Sequence, residues 1–371
     1  MQRPSRNYSE KDLQHRERDL HQHGKHRILK VLALILVLAL AWCGSFAGKF
    51  YLDTRSAANK TYRGKHDKKA DKQIKERKSL SILVLGVDTG EDGRTDRGNS
   101  DTIILVTINP TSKTTQLMSI PRDTAAQIVG LKEFEMAKVN SAYNRGGAEM
   151  SKDTVSKLLN IPVNYYLTLD MQGLEKVVNA VGGIDVDVPF TFTSEATGGQ
   201  TFNKGRRHLD GGMALAYARM RHEDPEGDYG RQKRQQQVIK AIVKKATSLE
   251  VVQHLSELLS SLSDSMTTDI SFDNMIELLN NYRDAASHIE SDSLKGQNAW
   301  IQTKDYEFPL SFQIISEQEL QRVSNKLRKE LGLQEETIDN AETKQNALNS
   351  DFHFDVDYEQ NYVFHDLDQD D

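Results

Sequence analysis

The chain has 371 residues, 37% of them hydrophobic and 7% aromatic, with a formal net charge of −6. That length holds one large domain or two small ones with a sizeable core, while the modest apolar share implies solvated tail or linker as well. A single cysteine, Cys43, excludes an intramolecular disulfide and a cysteine metal cluster.

The charge is spread unevenly. Residues 1–78 carry a net +11, residues 329–371 a net −11, and the stretch between them −6. A basic head, a mixed core and an acidic tail are three different things. Residues 31–47, VLALILVLALAWCGSFA, form an uncharged run of 17. As a helix this covers roughly 26 Å, close to a bilayer's hydrocarbon core. Trp42 and Phe46 sit toward one end, as interfacial aromatics do. The run reads as one transmembrane helix. The competing readings are a signal peptide cut after Ala47 and a lipid anchor at Cys43, which the bulk of Trp42 disfavours. Basic residues flank both ends in near-equal number, so charge alone does not orient the span.

Residues 48–78 are polar, lysine-rich and without periodicity, and read as a stalk. Regular structure is expected from residue 80. Residues 81–87 and 102–108 are short apolar runs of strand type, and 115–120 alternates and pairs with the second as a hairpin. Helical spacing follows at 149–159 and 174–181, with strands at 165–169 and 184–188. Further helices are expected at 209–217, 229–247, 251–262 and 272–285. Strands alternating with helices imply a layered α/β domain. The resulting division is a basic tail (1–30), a membrane helix (31–47), a stalk (48–78), a catalytic domain (79–250), a helical or mixed extension (251–328) and an acidic, disordered tail (329–371).

Three clusters carry chemistry. Asp88 ends the first strand and Asp101 starts the second. If those strands are neighbours, both carboxylates reach one crevice, which is how proteins hold Mg²⁺ together with substrate phosphates; the plain alternative is that both are loop and turn residues. No GxxxxGK[ST] is present, so a P-loop is excluded. Arg122 follows the third strand directly, and Asp123 beside it would hold it as an ion pair. Arg219 and Arg221, two apart, can aim at one ligand only where a helix has ended. Asp228, Arg231 and Gln235 share a helix face, although Asp228 would also serve as a cap. Arginine forks beside paired aspartates suit a pyrophosphate.

Six ordered blocks, ILVLGVDTG, NSDTIILVTINP, SIPRDT, KVNSAYNRGG, VGGIDVDVP and ALAYARMRHEDPEGDYGRQKRQQ, run from residue 79 to 247. Through them the sequence resembles the LytR-CpsA-Psr family of bacterial cell-envelope proteins. The resemblance implies a three-layer α/β/α extracytoplasmic domain with a central mixed sheet, preceded by one transmembrane helix, and an apolar tunnel for a lipid. It implies transfer of an anionic glycopolymer, of wall teichoic acid or capsular polysaccharide type, from a polyprenyl-pyrophosphate carrier to peptidoglycan at the outer face of the cell membrane. The N-terminus would be cytoplasmic. On this reading Asp88 and Asp101 ligate Mg²⁺, with Mn²⁺ as the alternative ion. Arg122, Arg219 and Arg221 clamp the pyrophosphate, and Arg231, Gln235 and Lys138 lie near the head group. Asp228 is the candidate base, or else orients an arginine. Asn99 stands where many relatives have an arginine, and Arg94 or Arg97 is expected to reach the same phosphate.

Three rival functions remain, the first of them served by the same residues. A pyrophosphatase would hydrolyse the lipid carrier with water as nucleophile. A scaffold or adhesin would bind the polymer without Mg²⁺ dependence. A transcriptional attenuator finds little support, since the tail lacks a helix-turn-helix pattern and the core is acidic, so no nucleic-acid partner is expected.

Overall fold

The computed structural model describes residues 51–64, 67–88, 97–194, 199–221, 224–246, 255–304 and 306–367. The apolar run 31–47 lies outside them. Among the described residues no helix is long and apolar enough to cross a membrane. Residues 56–371 fall in one compact unit.

The chain order is α1 (Lys68–Lys75), β1 (Leu80–Val87), β2 (Ser100–Asn109), β3 (Thr114–Ser119), β4 (Ala125–Gln127), β5 (Met136–Lys138), α2 (Ser141–Leu159), β6 (Tyr165–Asp170), α3 (Met171–Ala180), β7 (Ile184–Val188), β8 (Phe192–Ser194), β9 (Gln200–Phe202), β10 (Gly205–Leu209), α4 (Gly211–Arg219) and α5 (Gly227–Ala246). There follow α6 (Leu255–Ser261), β11 (Met266–Thr268), α7 (Phe272–Asn281), β12 (His288–Ser293), β13 (Gln297–Ile301), β14 (Leu310–Ile314), α8 (Glu317–Glu330), α9 (Ala341–Leu348) and β15 (Gln360–Asn361).

Six strands make the central sheet in the order β11-β6-β1-β2-β3-β12. β1 is antiparallel to β2 and parallel to β6, and β12 runs parallel to β3. The expected hairpin of β2 and β3 is present. Its turn is closed by Asn109, whose side chain accepts from the backbone N–H groups of Thr111 and Ser112, each at 3.0 Å.

Both faces of this sheet are covered, so its strands read as nearly unbroken apolar runs. Leu83, Leu85, Ile103, Leu105 and Met118 face α2 and α8, meeting Val155, Leu158, Leu320 and Leu327. Ile104, Val106 and Leu117 face the other way, against Ile239 and Val243 of α5. Each such side chain contributes about 1.5–3 kcal/mol by leaving water. The result is the expected α/β domain, with helices on both faces of a mixed sheet.

Three expectations differ from the structure. Part of the stalk is domain: α1 is capped by Asp67 and buries Ala70 and Ile74 against Leu80, Tyr165, Ile270 and Tyr282. Two apolar residues four apart are enough for a helix to dock, too few to register as periodicity. Residues 251–328 are not an appendage, because β11 and β12 form the two edges of the central sheet. The acidic tail is folded over its described residues. α9 carries a capping box at Asn340 and Thr343. Phe352, Tyr362 and partly buried Phe364 pack with Phe312 and Ile314. The aromatics bury one side while the carboxylates stay outside, and average composition does not separate the two.

Candidate active site

The topology brings three of the clusters to one sheet edge. β1 and β3 run in one direction and β2 in the other, so the ends of β1 and β3 and the start of β2 coincide. Open α/β sheets bind ligands at such an edge. The β2–β3 register pairs Ile104 with Ser119, and Ile120 N–H donates to Ile103 O at 2.9 Å. Continued two more steps, that register sets Arg122 opposite Asp101. The side chains meet there, Arg122 Nη1 donating to Asp101 Oδ1 at 2.9 Å.

On the other side of β2 the ladder with β1 slips by one residue. Gly86 pairs with Thr102 but Val87 pairs with Ser100, so Asp101 is the bulged residue. Bulges of this kind re-aim a side chain. Asp88 follows the bulge, its N–H directed at Asn99 O at 3.5 Å. Its carboxylate lies over Gly98, where a Cβ would collide with it. Asp88 and Asp101 thus stand at adjacent strand ends. Among the described residues there is no group of three or more His, Cys, Asp or Glu able to hold a metal. A two-carboxylate pair fits Mg²⁺, which commonly takes its other ligands from phosphate oxygens and water.

The remaining charges come from Arg221, between α4 and α5, and from the start of α5. Arg231 Nη2 lies 2.5 Å from Asp228 Oδ1, and Gln232 donates to Asp228 Oδ2 at 2.9 Å. Arg221 Nε is 4.0 Å from Asp228 Oδ1. α4 ends at Arg219, and Met220 is extended and buried, so the helix stops where the sequence required it to stop. Arg221 is therefore released toward Asp228. Arg219, the last helical residue, lines a cleft of about 280 Å³ with Glu175, Gln200, Asp210 and Met213.

Electrostatics link the two groups. Burial alone would lower the Arg122 guanidinium, but Asp101, Asp123 and Asp228 outweigh it and hold the group above its ordinary value. Arg231 goes the other way. Burial lowers it, Asp228 opposes this, and Arg122 and Arg221 push it down further. Arg122, Arg221 and Arg231 stand close together among Asp101, Asp123 and Asp228, and Arg231 Nε is buried with no hydrogen-bond partner among the described residues. An anion here would relieve the repulsion among the arginines.

Other expected residues are placed differently. Lys138 is held by Asp123, Nζ to Oδ1 at 2.7 Å, and lies 5.4 Å over the Phe312 ring. Arg97 rests against the break in α2 at Gly147, whose φ of 74° interrupts the helix. Gln235 is half-buried one turn beyond Arg231. Arg94 lies outside the described residues.

A buried arginine that the sequence did not single out fastens the site. Arg234 is 1% exposed. It donates to Asp224, to Tyr217 O at 3.0 Å and to Met220 O. Those carbonyls end α4, where helical partners run out. One guanidinium thus ties the end of α4, the turn at Asp224 and the start of α5 together, on either side of Arg221. Gln236 fixes α5 to the sheet, donating to Ser119 Oγ at 2.8 Å and Asp292 O at 2.6 Å. Spacing gave no signal for it: residues 231 and 234 are three apart and neighbours on the helix surface, and only the packing of α4 against α5 separates their roles.

Comparison with known proteins agrees with this geometry. The LytR-CpsA-Psr family model matches residues 46–329. The polyisoprenyl-teichoic acid–peptidoglycan teichoic acid transferase TagU of Enterococcus faecalis is 43% identical over 309 residues, 83% of this chain and 98% of that protein. Biofilm regulatory protein A of Streptococcus mutans is 36% identical over 329 residues, 85% of this chain and 80% of that one. The structure of TagT bound to LI-WTA superimposes with a TM-score of 0.57 at 28% identity, covering 70% of this chain and 92% of TagT. The chain belongs to the LytR-CpsA-Psr family.

Proposed function

We propose that the chain is a membrane-anchored phosphotransferase that moves an anionic glycopolymer from a polyprenyl-pyrophosphate carrier to peptidoglycan. The observation that carries this reading is the meeting of Arg122, Arg221 and Arg231 with Asp101 and Asp228 at the sheet edge. It occurs in a chain 43% identical to a teichoic acid transferase. The arginines grip the non-reacting phosphate oxygens through charge-assisted bonds of about 1.5–3 kcal/mol each. A peptidoglycan hydroxyl attacks the phosphorus that bears the glycan, a phosphodiester forms, and polyprenyl phosphate leaves. The transition state is loose, so positioning and charge stabilisation supply most of the rate.

Asp228 Oδ2 accepts from Gln232, while Oδ1 is ion-paired with Arg231 and lies near Arg221 but accepts no hydrogen bond among the described residues. That favours Asp228 as the residue that orients Arg231 and Arg221 over its role as a base. Asp88 and Asp101 would hold Mg²⁺, which neutralises phosphate charge when bound. Residues 31–47 would anchor the chain in the cell membrane, with the N-terminus cytoplasmic and the domain outside.

The test uses the purified full chain with a polyprenyl-pyrophosphate glycan and peptidoglycan oligomers. Polyprenyl phosphate release and glycan attachment are followed with and without Mg²⁺, for wild type, Asp101→Ala and Arg122→Ala. Attachment that needs Mg²⁺ and is lost in both variants supports the reading. Release without attachment makes the chain a pyrophosphatase. The name of the Streptococcus mutans relative favours a regulatory reading, which predicts donor binding with neither product.

A further inference from the structure

A small sheet beside the site has an outward face that the donor chemistry leaves unused. β14, β13 and β15 form it in that order. One face is core: Ala299, Ile301, Phe312 and Ile314 pack with Phe352 and Tyr362. Residues opposite each other on paired strands share a face. Asn298 pairs with Gln313, Trp300 with Ser311, and Trp300 also with Asn361. These five side chains therefore stand together on the other face. Trp300 is 38% exposed, and its indole N–H donates to Glu359, which fixes the ring. The Gln313 amide donates to Asn298.

The row begins at the phosphate cluster. Gln313 N–H donates to Asp123 O at 2.8 Å. Tyr229, the neighbour of Asp228, donates its hydroxyl to Gln313 Oε1 at 3.3 Å and accepts from Gly296 N–H at 2.9 Å. Trp300 lies two residues along β13 from Asn298, about 7 Å farther out.

The chemistry of the row selects its ligand. It offers amides, a hydroxyl, an indole and a carboxylate, and neither a lysine nor an arginine. A polyanion finds no counter-charge there and meets Glu359. A lipid chain would strand the amides without partners. A neutral sugar suits both halves, its C–H face on the indole and its hydroxyl and N-acetyl groups on the amides. We propose that this face binds the neutral N-acetylhexosamine strand of the acceptor and delivers its hydroxyl to the phosphate cluster. The inference rests on the transfer reading above and names where the acceptor lies.

The chain contains two tryptophans, Trp42 and Trp300, so a full-length Trp42→Phe chain in detergent reports on Trp300 alone. It is titrated with β-1,4-linked N-acetylglucosamine oligomers. A saturable change in emission is expected, with affinity about tenfold weaker in Asn298→Ala, the worth of roughly one hydrogen-bonded contact. In the transfer assay Trp300→Ala raises the acceptor KM about tenfold, for a lost stacking contact, and leaves donor KM and kcat unchanged. A loss of folding would move all three together. A folded chain whose emission does not respond overturns the proposal. So does an acceptor KM unchanged in Trp300→Ala, or an equal response to a teichoic acid fragment. An emission response in a chain that transfers nothing supports the face as a glycan site and tells against the transfer reading alone.

Discussion

Arg234→Met isolates the support of the site from the site itself. The substitution keeps much of the volume and removes three contacts, to Asp224, Tyr217 O and Met220 O. The Asp224 side chain is 3% exposed and is left as a buried, unpaired carboxylate. Breaking a buried ion pair from one side costs about 3–5 kcal/mol. At the slope of a 150–250-residue domain this lowers Tm by roughly 6–20 °C, and by less in a longer chain. Removing both partners, as Arg234→Met with Asp224→Leu, recovers a large part of that loss, because paired apolar replacements are often near neutral. The coupling read from a double-mutant cycle is expected at about 2 kcal/mol or more. Urea unfolding of the four chains gives the cycle. Arg221 follows Met220 directly, so turnover should fall by about tenfold in Arg234→Met even at temperatures where the chain is folded, roughly 1.4 kcal/mol of positioning. Additive single effects, or a folded Arg234→Met chain with wild-type turnover, would refute the idea that one guanidinium holds the Arg221 turn.

Further outcomes follow from particular contacts. Gly230→Ala should raise helix propensity by about 1 kcal/mol, yet its Cβ would collide with the buried Asp224 carboxylate. A net loss of stability is expected, and a higher Tm would show that the carboxylate moves aside freely. Burial raises the Glu342 carboxyl above its ordinary value, opposed in part by the Gln127 N–H. A carboxyl raised in the fold favours folding below its unfolded pKa and loses that contribution as pH rises through the folded value. Stability should therefore decline with pH above about 4.5 until Glu342 is ionised. Glu342→Gln should flatten that decline and be more stable above it by about 1–3 kcal/mol; parallel stability–pH curves would contradict this. Phe312→Ala removes the ring under Lys138 and beside Phe364, whose centroid is 5.3 Å away. A loss of about 3–5 kcal/mol in chemical unfolding is expected, and a loss below about 1 kcal/mol would mean that the C-terminal segment is not part of the core.

Much of the site was legible because it sits where strands end. Asp88, Asp101 and Arg122 each border an apolar run, and hairpin arithmetic over β2 and β3 puts Arg122 opposite Asp101. The requirement that a helix end between Arg219 and Arg221 was also readable, and α4 ends there. Features formed by long-range packing were not. The docking of Arg97 on the Gly147 break depends on how α2 lies against the strand-end loop, which local spacing does not encode. Lys138 looks like a free cation in sequence, but it belongs to Asp123 and Phe312, 15 residues before it and 174 after it. The edge strands β11 and β12 are short and follow helices, so period and composition assign them to an extension. The acidic tail misleads for a different reason. Its carboxylates dominate the composition, and the few aromatics that fold it act only once β13 and β14 exist to receive them.

The most direct measurement follows the two phosphorus atoms of the carrier separately. A polyprenyl-pyrophosphate glycan labelled at the glycan-bearing phosphorus is given to the wild-type chain and to Arg231→Met, with peptidoglycan oligomers present. The arginine cluster, acting as a transfer site, should carry the label into a phosphodiester on peptidoglycan and leave the unlabelled phosphorus on the lipid. In Arg231→Met that transfer should fall by about 10–100-fold, the worth of one charge-assisted contact. Label released as free glycan phosphate, or transfer unchanged in Arg231→Met, would contradict it.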